Sequence, residues 1–324
     1  MNIEVAQYPD DAAYCVAFDA DAAYPDDYRI VRDCMERYGT VFSLNDVREF
    51  EGKIFTELDI LKKDYHAGRL DFGWYMTKGH VYGDLTRPSA CMAPTEMEIV
   101  RWEEEHERHC TMMVYPCGFR DNQSKFEQLF FARESNPSGT AKVDWKQVDF
   151  HNFPITQHWG VRDDSFSDTE YNVRSIAKAE ANLNAVIENK GVFIDFVHWH
   201  WLGDNFTKNN SWESYKAFLK TVSKLKECCQ DSLPRVIEYL VMRKQINISK
   251  KSDGYFCVEL SPLENHRVDF KKLNQKLTFV LPGLKAGDSI IVNEQTVELT
   301  SGKQSRACFS VSPRNFPLEI KHLN

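Results

Sequence analysis

No stretch of this 324-residue chain approaches the 18 to 20 consecutive apolar residues of a membrane span. Its first residues, MNIEVAQYPDD, carry neither the basic patch nor the apolar run of a secretory leader. As written, the chain reads as soluble and cytoplasmic; a leader trimmed from its start would make it secreted or periplasmic. Positive charge is also scarce. Forty Lys and Arg against 48 Asp and Glu leave a net charge of −8, with a pI near 5.7, and no basic stripe is present to release counterions from a phosphate backbone. Nucleic acid is set aside as a partner. The nine cysteines include no CxxC pair, which removes the usual structural zinc spacing. Their odd number and their placement in apolar segments suit reduced, buried thiols rather than a disulfide framework. There is no internal repeat and no low-complexity tract.

Hydrophobic residues make up 42% of the chain, enough for a core, and the length suits one large domain with a small appendage. AYCVAFD (13–19) reads as a strand. DYRIVRDCMERY (27–38) sets apolar residues at 30, 31, 34, 35 and 38, the spacing of one helix face, with Gly39 as its stop. The strand TVFSL follows, giving a β-α-β opening. APTEMEIVRWEEEHER (93–108) begins with Thr95 and Glu98 at capping-box spacing and keeps Met97, Ile99 and Val100 near one side of a charged helix; TMMVYP is then a strand. Residues 169–189 place Val173, Ile176, Ala179, Leu183 and Ile187 three and four apart, ending at Asn189 and Gly191. They lead into GVFIDFVHWHW, an apolar run suited to a strand covered on both faces. Helices are expected at 212–228 and 232–243. From about residue 250 the helical period gives way to short strands, GYFCVELSP, KLTFVLPG, SIIVNEQTVELT and ACFSVSP, which read as a small β-sandwich. The expected division is a (β/α) barrel domain over 1–248 and a β-sandwich-like accessory region over 249–324.

Asp19 and Asp21 stand at the end of the first strand, separated by one alanine. A carboxylate closing an apolar strand is costly to desolvate unless it is paired, hydrogen-bonded or metal-bound, so it marks a candidate site. In a (β/α) barrel the sites gather at the C-terminal strand ends, which would bring Asp19, Tyr115 to Arg120, and His198 to His200 to one mouth. His198 and His200 share a strand face while Trp199 and Trp201 take the other. Such a pair suits a general acid, a metal ligand or both. The plainer readings are a capped strand end for the aspartates, aromatic core for 198–202, a Pro-Gly turn for YPCGFRD and a loop histidine for His80. Glu103 to Glu107 reads as a solvated helix face.

The order of these segments resembles the polysaccharide deacetylases of carbohydrate esterase family 4, over roughly residues 8–250. FDAD (18–21) sits where that family's TFDDG-like motif supplies a base and a metal-binding aspartate, and RYGTVFSL resembles the strand after it. HCTMMVYPCGFRD is similar to the motif whose backbone helps bind the oxyanion. FIDFVHW resembles the last strand, which carries the acid histidine, and HWHWLGDNFTKNNSWESYKAF has the layout of the strand and helix that close some members, with Trp212 and Glu213. The resemblance implies an α/β fold, an incomplete (β/α) barrel of the seven-stranded type with a small β-rich domain after it. It implies Asp19 as base, His198 or His200 as acid and amides near Tyr115 and Cys117 for the oxyanion; a metal-free version would need another cation, for which Arg120 or Arg162 is the candidate, and Trp199 suits stacking on a sugar ring.

The metal motif departs from the family pattern. Ala20 takes the place of the metal-binding aspartate, and in DFGWYMTKGH the two histidine positions fall on Tyr75 and Gly79, leaving His80 one place late. Asp21 and His80, helped by His158 or His200, are what remains for a divalent, zinc-like ion; the alternative is no ion. The implied function is a hydrolase that removes an acyl group from an N- or O-acylated sugar with base-activated water, its partner a carbohydrate or acylated small molecule. Two rivals stand beside it: a non-catalytic glycan-binding protein on the same fold, and a metal-free hydrolase or lyase acting on another substrate.

Overall fold

In the computed structural model, residues 2–6, 12–19, 25–46, 49–50, 53–54, 58–75, 95–114, 131–137, 153–155, 157–159, 168–198, 211–226, 228–251, 254–302 and 305–322 are described. Ala12–Pro234 form one unit, and Met1–Asp11 with Arg235–Asn324 form another. Strand β1 (Glu4–Val5) belongs to the second. The first begins with β2 (Ala12–Asp19), α1 (Pro25–Tyr38) and β3 (Phe42–Asp46), the β-α-β opening read from the sequence. It continues through a small hairpin, β4 (Glu49–Phe50) and β5 (Lys53–Ile54), then α2 (Leu58–His66), β6 (Leu70–Tyr75), α3 (Glu96–His106) and β7 (Met112–Val114). After these come β8 (Phe131–Pro137), β9 (Phe153–Ile155), β10 (Gln157–Trp159), α4 (Asp168–Glu188), β11 (Val192–His198), α5 (Ser211–Val222) and β12 (Cys228–Gln230).

Apart from the hairpin, these strands form one parallel sheet in the order β10-β11-β2-β3-β6-β7-β8-β9, with β12 added to β2. Its two edges, β9 and β10, are one residue apart in the chain, so the sheet curls until its ends are consecutive in sequence. With β9 and β10 taken as one strand and β12 set apart from the path, this is the seven-stranded, incomplete (β/α) barrel. β12 pairs with Ala12 to Tyr14 of β2, below the level at which β3 joins it at Val16.

Alternation along β2 separates two layers. Tyr14, Val16 and Phe18 pack in a cluster with Tyr28, Val31 and Met35 of α1, while Ala13, Cys15 and Ala17, all buried, take the inner face of the curled sheet. α1 stops as expected at Gly39, whose φ of +65° lets Thr40 N–H reach Met35 O (2.9 Å) and Gly39 N–H reach Glu36 O (3.1 Å). The capping box of Thr95 and Glu98 is formed, but α3 turns Ile99, Trp102 and His106 inward and leaves Met97 and Val100 78% and 42% exposed. Spacing of three and four from Ile99 selects the buried stripe, and residues 97 and 100 fall off it. The helix expected over 212–228 ends at Val222, where Lys224 N–H and Leu225 N–H close tight turns onto Thr221 O and Val222 O; Cys228–Gln230 are β12. Among the described residues seven cysteines are free thiols, four of them buried and three half-buried. No described helix is long and apolar enough to cross a membrane.

Two buried phenols are tied to buried carboxylates. Tyr14 Oη donates to Asp195 Oδ2 at 2.5 Å, and Tyr28 Oη donates to Asp64, which also accepts from Arg69 Nη1 at 2.5 Å. Burial first, then the Asp195 carboxylate, pushes the Tyr14 and Tyr215 hydroxyls well above the usual phenol range, and burial with the Asp64 bond does the same for Tyr28. A group whose folded pKa is raised contributes stability in full below its unfolded pKa, about 10 for tyrosine, and loses it as pH climbs from there toward the folded value. Tyrosinate absorbance from these phenols is therefore expected only together with loss of far-UV circular dichroism, above about pH 10. Their titration in a chain that keeps its dichroism would contradict this.

The second unit holds α6 (Leu233–Lys244), most of which lies in it, followed by β13 (Ile246–Lys250), β14 (Phe256–Leu260), β15 (Leu277–Val280), β16 (Ser289–Val292), β17 (Gln295–Glu298), β18 (Thr300–Ser301), β19 (Ala307–Val311) and β20 (Leu318–His322). They form two sheets, β1-β15-β19-β18 and β13-β14-β20-β16-β17, antiparallel throughout. In β14, β15 and β19 alternate residues are buried, as in Phe256 and Val258, Leu277 and Phe279, and Phe309 and Val311. Tyr239 Oη donates to Ala6 O (3.2 Å) beside the β1–β15 pair, and burial pushes its hydroxyl up to about 12.

Candidate functional site

Parallel strands of one curled sheet end at one rim, and two of the singled-out residues end adjacent strands there. Asp19 closes β2, His198 closes β11, and they are register partners. Neighbouring strands run about 4.8 Å apart, so positions 19 and 198 are next to each other on the rim. Residue 19 continues the parity of Ala13, Cys15 and Ala17, and residue 198 that of its partners along the same face. On its other side Asp19 pairs with Asn45 of β3, and Asn45 with Gly73 of β6. His158 of β10 is in register with Phe196, itself paired with Ala17, one step below the rim.

Asn45 and Gly73 show how tightly the inner face is filled under that rim. A Cβ on Gly73 would stand 2.3 Å from Asn45 Oδ1 and 2.6 Å from Met112 Cε, so only glycine lets the buried Asn45 amide lie against β6. Gly73→Ala is expected to destabilise the barrel by about 1–3 kcal/mol through overpacking. An unchanged denaturant midpoint would show that Asn45 and Met112 move aside freely. Asn45 escaped the sequence reading, although the cue used for Asp19, a polar residue closing an apolar strand, applies equally to it.

Other buried charges lie away from the rim. Asp71, near the start of β6, accepts from Arg108 Nε, Arg108 Nη2 (3.1 Å), Ser232 Oγ (2.9 Å) and Phe72 N–H (2.8 Å). It pairs with Ser43, itself paired with Ala17, so it lies one inner-face step below the row of Asp19, Asn45 and Gly73. Asp195 sits mid-strand on β11 with the parity of Phe193 and Val197, both members of the helix-facing core, and receives Tyr14. Neither was legible beforehand, because their partners lie far away in the chain.

The backbones of Asp19 and His198 are thus brought together. His200, Trp199, Tyr115, Cys117, Arg120, Arg162, Asp21 and His80 lie outside the described residues. Catalytic zinc sites use three protein ligands; among the described residues no three His, Cys, Asp or Glu side chains converge to hold a metal ion, and the expected set of Asp21 and His80 with His158 or His200 falls outside that description.

Solved polysaccharide deacetylases resemble this chain. A protein of Mycobacterium smegmatis assigned to the polysaccharide deacetylases is 12% identical, covering 74% of this chain and 94% of its own, with a TM-score of 0.48. The Xyl-CE4 domain of a multidomain xylanase from the hindgut metagenome of Trinervitermes trinervoides is 12% identical over 73% of this chain and 92% of its own, with a TM-score of 0.41. A mutant of a CE4-family pseudoenzyme with restored enzymatic activity is 14% identical over 71% of this chain and 69% of its own, with a TM-score of 0.36. No family model and no curated protein matches the sequence. Likenesses of this strength decide nothing about activity, and the curled parallel sheet is established by its own strand register.

Proposed function

We propose that the barrel is a carbohydrate-active hydrolase that removes an acyl group from an N- or O-acylated sugar. The single observation that carries this reading is the register pairing of residues 19 and 198 at the C-terminal rim. Acyl hydrolysis needs a base to draw a proton from water, donors for the oxyanion and an acid for the leaving group. In this reading the Asp19 carboxylate takes the proton from the attacking water. The His198 imidazolium gives its proton to the departing sugar oxygen or nitrogen, with His200 as the alternative acid. Backbone amides near Tyr115 and Cys117 receive the oxyanion, Arg120 or Arg162 balances its charge, and Trp199 stacks on the sugar ring.

Acetate release from acetylated xylo- and chito-oligosaccharides by the purified chain tests the proposal. Release that saturates with substrate supports it. Formation of an unsaturated uronate product without acetate would favour a lyase, and glycan binding without turnover would favour a recognition protein.

A further inference from the structure

The second unit contains a cleft of about 610 Å3, lined by β16, β17, β19, the start of β20, the segment between β19 and β20, and Lys276 just before β15. That volume is within the ~300–1,000 Å3 range of small-ligand sites. Val292, Phe309, Val311 and Leu318 give it an apolar floor, and Phe309 is backed by Phe279 at 5.4 Å with the rings 22° apart. Gln295, Ser310, Ser312 and Asn315 add polar groups around that floor, and among the lining residues Lys276 alone carries charge.

One wall of the cleft is locked in place. Asn293 and Glu294 take φ of +48° and +66°, the two left-handed residues of a tight hairpin turn between β16 and β17. The Asn293 side chain then ties this hairpin to the chain entering β20: Nδ2 donates to Asn315 O (3.3 Å) and Pro317 O (3.2 Å), and Oδ1 accepts from Glu319 N–H (2.7 Å). A cleft fixed in this way loses little ordering entropy on binding.

The lining selects a ligand class. Amides and hydroxyls both donate and accept, so they match ligand hydroxyls, which do the same. A phosphate or carboxylate ligand would call for a bidentate arginine, which this lining lacks. An apolar floor beside such groups suits the C–H face of a sugar ring. We propose that this cleft binds a short, uncharged oligosaccharide, a recognition site separate from the barrel rim and independent of the barrel's chemistry.

Titration calorimetry of the whole chain with unacylated xylotetraose, cellotetraose and mannotetraose tests it. At least one of the three binds, the paired change Gln295→Ala and Asn315→Ala weakens it tenfold or more, and Asp19→Asn leaves it unchanged. Both cleft positions are exposed, so the unfolding midpoint of the pair stays at the native value; should it fall, Gln295→Ala alone is read the same way. Absence of binding by all three sugars, or full binding by the cleft variants, overturns the proposal. Acetate release by the cleft variants remains native in either case, which keeps this outcome separate from that of the barrel.

Discussion

Asp19→Asn is expected to lower acyl release by about 10²- to 10⁴-fold, the contribution of a positioned general base. The change is isosteric, but an amide oxygen does not take up the proton that water must lose, so water attacks the acyl carbonyl only as the weak, neutral nucleophile. At 1.36 kcal/mol per tenfold, the loss corresponds to about 3–5 kcal/mol of transition-state stabilisation. It should appear in kcat with little change in KM, because the base acts on the transition state rather than on ground-state binding. Position 19 closes β2 at the rim and the strand's pairing is through its backbone, so far-UV dichroism and the unfolding midpoint should remain native. Native turnover by the folded variant would remove Asp19 from the base role.

Asp71→Ala is expected to do the reverse, lowering stability and sparing the chemistry. Asp71 is 1% exposed and Arg108 8% exposed, and the carboxylate gathers donors from three separate segments, at residues 72, 108 and 232. Truncation would leave the guanidinium buried without its counter-charge, which costs about 3–5 kcal/mol. A domain's whole stability is typically about 5–15 kcal/mol, so this is a large share of it. For a unit of this size each kcal/mol moves the midpoint by about 2–4 °C, giving a fall of about 6–20 °C. Below the new midpoint, acyl release per folded molecule should be native, since Asp71 is engaged by Arg108, Ser232 and the Phe72 N–H one inner-face step below the rim rather than closing a strand at it. A midpoint within a degree or two of native would show that Arg108 finds other acceptors or water.

What was legible in the sequence followed from local rules. The apolar spacing of residues 30 to 38 with Gly39, the Thr95–Glu98 box, the long period of residues 169–189 and the apolar run into His198 each reflect forces acting within a few residues, and each element is formed. Elements decided at a distance were not. Cys228–Gln230 followed a helical pattern closely enough to be read as helix, yet the free edge of β2 below β3 takes them as a strand. Met97 and Val100 looked like part of a buried face because both are apolar, and only the packing of Trp102 against Trp74 (5.9 Å, rings 8° apart) fixes which stripe of α3 is inside. The same holds for the site. Residues 19 and 198 could be paired in advance because each ends a strand of a parallel body, whereas Asn45 at their side and the Asp71 cluster below depend on strand order, which periodicity does not encode.

The most direct measurement is a double-mutant cycle on acetate release, with Asp19→Asn, His198→Asn and both together. Two groups serving one proton-transfer sequence give non-additive losses, so the double variant should be little slower than the slower single one. Losses that multiply, or a His198→Asn chain that turns over at the native rate, would contradict a shared centre at the ends of β2 and β11.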